Sequence, residues 1–298
     1  MNAPRPGPDA PVLVLGATGL LGTRLVPAMA ARWDTVTHAR SGGALRTADL
    51  ADPAATARML DEVRPSLVVN LAALTSVDLC EYEPQKAYLA NVKAVENVAA
   101  WMGSRDTGCH LIHISTDQVY DGPGPHAEDG VTLVNIYGFS KYAGELAALR
   151  AGATVLRTNF FGRSARPGRE SFSDWLARSL RAGTPIQVFD DVLFSPLGLE
   201  TLVSVILRVA AARPPGVFNL GTADGLSKAD FAFAFAAALG IARPAMARAA
   251  SAGSSLLRAK RPSDMRMDSR RIERVLGIRL PGLREEIEST AKEYRDVP

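Results

Sequence analysis

Residues 12–22 read VLVLGATGLLG, and this stretch decides the fold. Four apolar residues, 12–15, run directly into Gly16-Ala17-Thr18-Gly19-Leu20-Leu21-Gly22. A short, continuous apolar run bounded by glycine fits a strand buried on both faces. Glycines let the chain turn sharply and let the backbone approach a pyrophosphate, which then rests on the positive end of the following helix. The plainer alternative is a glycine-rich turn with no ligand. Position after a strand, at the opening of a helix and at the head of a βαβ series favours the dinucleotide loop.

Working outward, apolar strands are expected at 35–38, 67–71, 111–115 and 154–157, with helical patterns at 20–32, 53–63, 87–102 and 137–149. Pro27 inside the first helix removes a backbone donor and should disturb it. This alternation predicts an α/β, Rossmann-type, doubly wound parallel sheet. Beyond residue 161 the pattern loosens. A helix at 172–182, a strand at 186–189, a helix at 199–212 and a strand at 217–220 precede two further helices and an irregular stretch, 242–266. The domain reading is therefore a dinucleotide-binding domain over 12–160, with later segments such as 186–221 returning to it. Residues 161–298 form mainly a smaller C-terminal substrate-binding lobe, and 1–11 a disordered tail.

The 298 residues suffice for such a pair of units. An excess of 34 basic over 31 acidic residues is too small to point to a nucleic acid. No apolar run approaches the ~20 residues that cross a bilayer, so no membrane partner is expected. Two cysteines, Cys80 and Cys109, make no disulfide framework, and the expected location is the cytoplasm. The four histidines lack metal-ligand spacing, and no metal site is expected.

The second strand bears on the cofactor. A carboxylate at its end would hold the ribose 2′-hydroxyl of NAD. Here it closes with Thr37-His38-Ala39-Arg40, so Arg40 either meets a 2′-phosphate, favouring NADP(H) over NAD(H), or is a solvated charge. Asp49 and Leu50 lie where they could flank the adenine.

Tyr137 and Lys141 form a YxxxK pair, and i, i+4 spacing sets both on one helix face. An ammonium beside a phenol stabilises the phenolate, so the tyrosine can exchange a proton near neutral pH. Thr116 closes the 111–115 strand, over the crevice where such sheets bind ligands. Thr116, Tyr137 and Lys141 are the catalytic candidates.

On these residues the chain resembles the extended short-chain dehydrogenase/reductases, and within them the dTDP-4-dehydrorhamnose reductases. The resemblance rests on GATGLLG (16–22), RPSLVVNLAALTSVDLCEYEP (64–84), STDQVYDG (115–122), NIYGFSKYAGE (135–145) and LRTNFFG (156–162). A weaker match runs through GVFNLG (216–221), RPSD (261–264) and LGIRLPGLREEI (276–287). It implies a nicotinamide-dependent reductase of a nucleotide-linked 4-keto-6-deoxy sugar. It assigns the cofactor to Gly16, Thr18, Gly19, Leu20, Leu21, Gly22, Asp49, Leu71, Ala72, Ala73, Asn91, Tyr137 and Lys141. Its expected substrate contacts are Thr75, Val77, Asp117, Gln118, Asn159 and Arg261. A homodimer is left open. Some relatives join subunits through acidic residues and a metal, but Glu285, Glu286 and Glu288 match too weakly to carry that over.

Position 118 separates related chemistries. Sugar-nucleotide dehydratases carry a glutamate there that removes a carbon-bound proton. Gln118 has no useful basicity, so dehydration is not expected. Rhamnose reductases usually carry an aromatic there, so Gln118 leaves the particular sugar open. Between residues 243 and 274 stand nine Arg/Lys against three carboxylates. Arginine forks suit phosphate oxygens, and Arg261 is the candidate for the nucleotide diphosphate, although most of these charges read equally as a solvated face. Two other readings are a non-catalytic NADP-binding subunit, like the regulatory subunit of methionine adenosyltransferase, and a sugar-nucleotide epimerase.

Overall fold

A computed structural model describes residues 10–104, 108–166, 168–251 and 257–295. The expected disordered tail falls, for residues 1–9, outside the described residues. Ala10 and Pro11 are tied down: their carbonyls accept from the Ser66 hydroxyl at 2.9 Å and the Ser66 amide at 3.0 Å.

The chain divides into two compact units. The first holds residues up to Thr116, 135–157 and 203–218. Its strands are β1 (Val12–Leu15), β2 (Thr35–Ala39), β3 (Arg46–Thr47), β4 (Leu67–Asn70), β5 (His110–Thr116) and β6 (Thr154–Thr158). With Gly216–Leu220 they make a seven-stranded sheet ordered Gly216–Leu220, β6, β5, β4, β1, β2, β3. β1 runs parallel to both β2 and β4, with Val14 opposite Thr37 and Val69. All four residues of β1 and of β4 are buried, which explains their unbroken apolarity. The order reverses beside β1, and open α/β sheets bind ligands at the strand ends there.

Helices α1 (Leu20–Ala30), α2 (Pro53–Val63), α3 (Val77–Tyr82), α4 (Pro84–Tyr88), α5 (Ala94–Gly103) and α6 (Ile136–Leu149) complete this unit's first six helices. α1 runs from Leu20 to Ala30 with Pro27 inside it. The single helix expected over 87–102 is α4, a π-helical turn at Leu89–Lys93, and α5. Leu13, Leu60, Val68, Val95, Trp101 and Leu111 belong to one buried core between sheet and helices.

The second unit holds 117–134, 158–202 and the residues from 219 onward. Two domain expectations are thereby corrected: 117–134 leaves the dinucleotide unit, and of 186–221 only 203–218 returns to it. Hydrogen bonding explains the first. The Tyr120 hydroxyl donates to Asn219 at 2.7 Å, and the Gly124 and His126 amides donate to Asp264 and the Arg266 carbonyl.

This unit's core gathers Phe161, Phe194, Phe231, Phe235 and Tyr294. Phe161 meets Phe231 edge-on at 4.8 Å, a favoured aromatic geometry. Phe231 and Phe235 come from the helix Lys228–Ala238. A capping box of Ser171 and Asp174 starts the helix Phe172–Arg181. The stretch expected to be irregular contains a strand, Met246–Ala249, parallel to Ile186–Phe189. Among the described residues three α-helices, not two, follow Leu220, because the short Arg270–Leu276 buries only Ile272 and so carries no amphipathic period. Among the described residues, no helix is long and apolar enough to cross a membrane.

Candidate active site

The glycine loop lies against the end of β4. Gly16 has a φ of +75°, and a Cβ there would stand 2.7 Å from the Ala72 amide nitrogen, so both conformation and space require glycine. A Cβ on Gly22 would lie 2.3 Å from the Ala17 carbonyl oxygen. Asp52, Ser76 and Asn135 cap α2, α3 and α6 with side-chain oxygens. Gly19 caps α1 with none, and no acidic residue stands in that first turn. The amides of this turn are open to an anion supplied from outside. The residues present therefore fit a dinucleotide pyrophosphate.

The loop after β4 is held from beneath. Asn70 accepts from the Ala72 amide at 3.0 Å and bonds the His113 ring at 3.1 Å. Asn91, in the π-helical turn, accepts from the Leu74 amide at 2.8 Å and donates to the Leu74 carbonyl and the Ser140 hydroxyl. Its side chain thus clamps the 71–74 segment to α6. Gly144 allows this approach, since a Cβ would lie 2.2 Å from the Asn91 carbonyl oxygen.

Arg40 follows β2 and is exposed, and Asp49 is exposed while Leu50 is buried. Asp49 accepts from the Ala51 amide at 2.9 Å. His38 is buried; its Nε2 meets the Ala48 carbonyl at 3.0 Å, and burial holds its pKa below the usual value.

Thr116 ends β5, and Tyr137 and Lys141 share a face of α6; all three are buried. Tyr137 packs with Cys80 and Ala87, joined by Leu74 and Val77. Val77 thus supports the tyrosine ring, while Thr75 is exposed. The Lys141 ammonium donates to the Ile114 carbonyl at 2.7 Å, fixing α6 to the strand two residues before Thr116. Burial pushes the Lys141 pKa down to about 8, against the opposing pull of Glu145. Glu145 continues the same helical face. It accepts two hydrogen bonds at 3.0 Å from Arg157 Nε and one at 2.6 Å from its Nη2, and the Ser115 hydroxyl also donates to it. Burial, and then the Lys141 charge, hold His113 far below its ordinary pKa.

In the second unit, Asn159 donates to the buried Asp117 carboxylate at 2.6 Å. Gln118 is half-buried in the 3-10 turn Asp117–Val119. Arg261 donates to the Ala259 carbonyl at 2.9 Å. Lys228 opens the helix Lys228–Ala238, with its ammonium 5.2 Å from the Phe172 ring centroid and 5.4 Å from that of Phe194. Burial lowers its pKa; Asp117 raises it and Arg261 lowers it further.

Sequence reasoning missed Asn70, Glu145, Arg157 and Lys228. Two signals were present: an arginine interrupting the apolar 154–157 run, and a glutamate four residues after the YxxxK lysine. Nothing local marked Lys228.

The family model described as the RmlD substrate binding domain matches residues 10–296. The chain is 34% identical to the dTDP-4-dehydrorhamnose reductase of Mycolicibacterium smegmatis over 270 residues, covering 87% of this chain and 78% of that one. It is 31% identical to the enzyme of that name from Sinorhizobium fredii over 251 residues, 80% of this chain and 83% of that one. Its fold is similar to the crystal structure of the Bacillus anthracis dTDP-4-dehydrorhamnose reductase in complex with NADP. That match has a TM-score of 0.85 at 24% identity and covers 95% of this chain and 98% of the other. The chain belongs to the RmlD substrate-binding family.

Proposed function

We propose that this RmlD-family chain is an NADP(H)-dependent reductase that converts the ketone of dTDP-4-dehydrorhamnose, or a close 4-keto-6-deoxy relative, to an alcohol. The observation that carries the reading is the α6 face, where Lys141 is fixed to the Ile114 carbonyl one turn from Tyr137. Relatives at 34% and 31% identity named as reductases of this sugar support the substrate class.

A nicotinamide cofactor, when bound, supplies the hydride. Gly16, Gly19 and the first turn of α1 take the pyrophosphate, and Asp49 and Leu50 flank the adenine. Arg40, exposed where a carboxylate would select NAD, takes a 2′-phosphate. Leu71, Ala72 and Ala73 line the same loop, with Asn91 shaping it rather than binding.

Thr116 donates a hydrogen bond to the ketone oxygen, and Tyr137 hands its phenolic proton to that oxygen. The Lys141 ammonium offsets the phenolate left behind. Gln118, an amide, cannot take a carbon-bound proton, which keeps the chemistry at reduction. Asp117 and Asn159 contact the sugar and Arg261 the diphosphate. Cytoplasmic residence fits the two thiols, which form no disulfide among the described residues and are raised by burial to about 11 at Cys80 and about 12 at Cys109.

Incubation with NADPH and dTDP-4-dehydrorhamnose should consume one cofactor per sugar reduced. Inversion of a sugar centre without net cofactor loss, or binding of NADPH with no turnover on any keto sugar nucleotide, would overturn the reading.

A further inference from the structure

Lys228 is a partly buried cation in the second unit. Among the described residues, no hydrogen bond or ion pair from its ammonium is found, although the side chain is partly buried. Two aromatic faces hold it instead, those of Phe172 and Phe194, at 5.2 and 5.4 Å. Cation–π contact attracts an ammonium but leaves its three N–H donors unsatisfied. Burial removes part of the ammonium's hydration and lowers its pKa, a cost that a charged acceptor would offset.

The surrounding charges say which acceptor. Arg261 and Asp117 are the charged groups acting on Lys228. Asp117 is engaged by Asn159. Asp117 attracts the ammonium and Arg261 repels it more weakly, so Lys228 and Arg261 place two cationic donors beside one carboxylate. An acceptor with charge spread over several oxygens would satisfy Lys228 and relieve its repulsion with Arg261 together.

We propose that Lys228 is a substrate-binding residue that grips the diphosphate of the nucleotide sugar alongside Arg261, with Phe172 and Phe194 as the rings that preset its ammonium. This rests on the nucleotide-sugar reading above. The rings restrict the side chain before substrate arrives, which reduces the ordering required on binding.

Because the cofactor also carries a pyrophosphate, the test must separate the two anions. Binding of dTDP, of thymidine and of NADPH would be measured by calorimetry in the wild type and in Lys228→Met, with thermal unfolding recorded for each. The expected result is dTDP affinity about tenfold to a hundredfold weaker, thymidine and NADPH unchanged, and an unshifted melting curve. Lys228→Arg should recover part of the loss. In turnover, KM for the sugar nucleotide should rise with kcat nearly unchanged. Unchanged dTDP affinity with a lowered kcat would show that the ammonium serves only to orient Asp117, and would overturn the proposal. So would an equal loss for NADPH. Failure of the wild type to reduce any keto sugar would instead sink the reductase reading, while selective loss of dTDP binding in Lys228→Met would still stand.

Discussion

The two units each desolvate a lysine near a carboxylate, and they hold its ammonium differently. Lys141 has a carbonyl acceptor at 2.7 Å and a carboxylate, Glu145, on its own helical face. Lys228 has two aromatic rings, the attraction of Asp117 and a weaker repulsion from Arg261. Both are pushed down by burial, yet only the first is hydrogen-bonded within the described chain. A group that must hold one geometry through a proton transfer is prepaired by the fold. A group that must receive a ligand is held in place with its donors left open.

The sharpest break of this comparison is at the proton donor that Lys141 serves. Tyr137→Phe removes only the phenolic hydroxyl from a ring packed on Cys80 and Ala87. We expect kcat to fall about 10²–10⁴-fold, the usual contribution of a positioned general acid, with dTDP and NADPH affinities preserved. Pre-steady-state turnover at saturating substrate reads this directly, and an unchanged rate would remove Tyr137 from the chemistry.

Next in size is the buried pair behind Lys141. Arg157 and Glu145 are almost inaccessible, with side-chain exposures of 2% and 0%. Glu145→Ala removes the carboxylate that pairs this buried guanidinium and should cost about 3–5 kcal/mol of stability, measured by chemical unfolding. The double change Glu145→Gln with Arg157→Met should recover most of it, because removing both charges also removes their desolvation. A loss no larger than that of Lys228→Met would mean that the two units do not differ as described.

A smaller effect is expected at the end of β2. Arg40→Ala removes one charge-assisted phosphate contact, so the preference for NADPH over NADH should shrink by roughly tenfold to a hundredfold. NADH affinity should stay put. A preference untouched by the change would return Arg40 to the solvated surface.

These residues were not equally legible in the sequence. The 12–22 stretch carried its meaning locally, because a strand buried on both faces and a turn that requires glycine both write themselves into neighbouring positions. The bounds expected for 53–63, 186–189 and 199–212 are those of the structure. The YxxxK spacing likewise states its own geometry. By contrast, Met246–Ala249 reads MARA, with its two central residues exposed, and is a strand only because Ile186–Phe189 lies beside it. The π-helical turn at Leu89–Lys93 answers to Asn91, whose partners, Leu74 and Ser140, are far along the chain. Lys228 is the extreme case: its setting is made by Phe172, Phe194, Asp117 and Arg261, none of them near it in sequence.

The finest discrimination between the two lysines is in pH. Lys141, near 8 in the folded chain, would titrate near 10.4 when unfolded. Between these values the unfolded state binds more protons, so this residue makes stability rise with pH from about 8 to about 10; below 8 its burial costs stability in full. Activity runs the other way. The proton on Lys141 is what offsets the Tyr137 phenolate, so kcat at saturating substrate should fall on the alkaline side as that proton leaves. Glu145 holds the Lys141 pKa up, so Glu145→Gln should move this limb to lower pH in whatever fraction remains folded by circular dichroism. Lys228→Met should leave the kcat limb where it is and alter only the profile of kcat/KM, since its ammonium acts on binding. A kcat limb displaced by Lys228→Met and unmoved by Glu145→Gln would exchange the roles assigned to the two lysines.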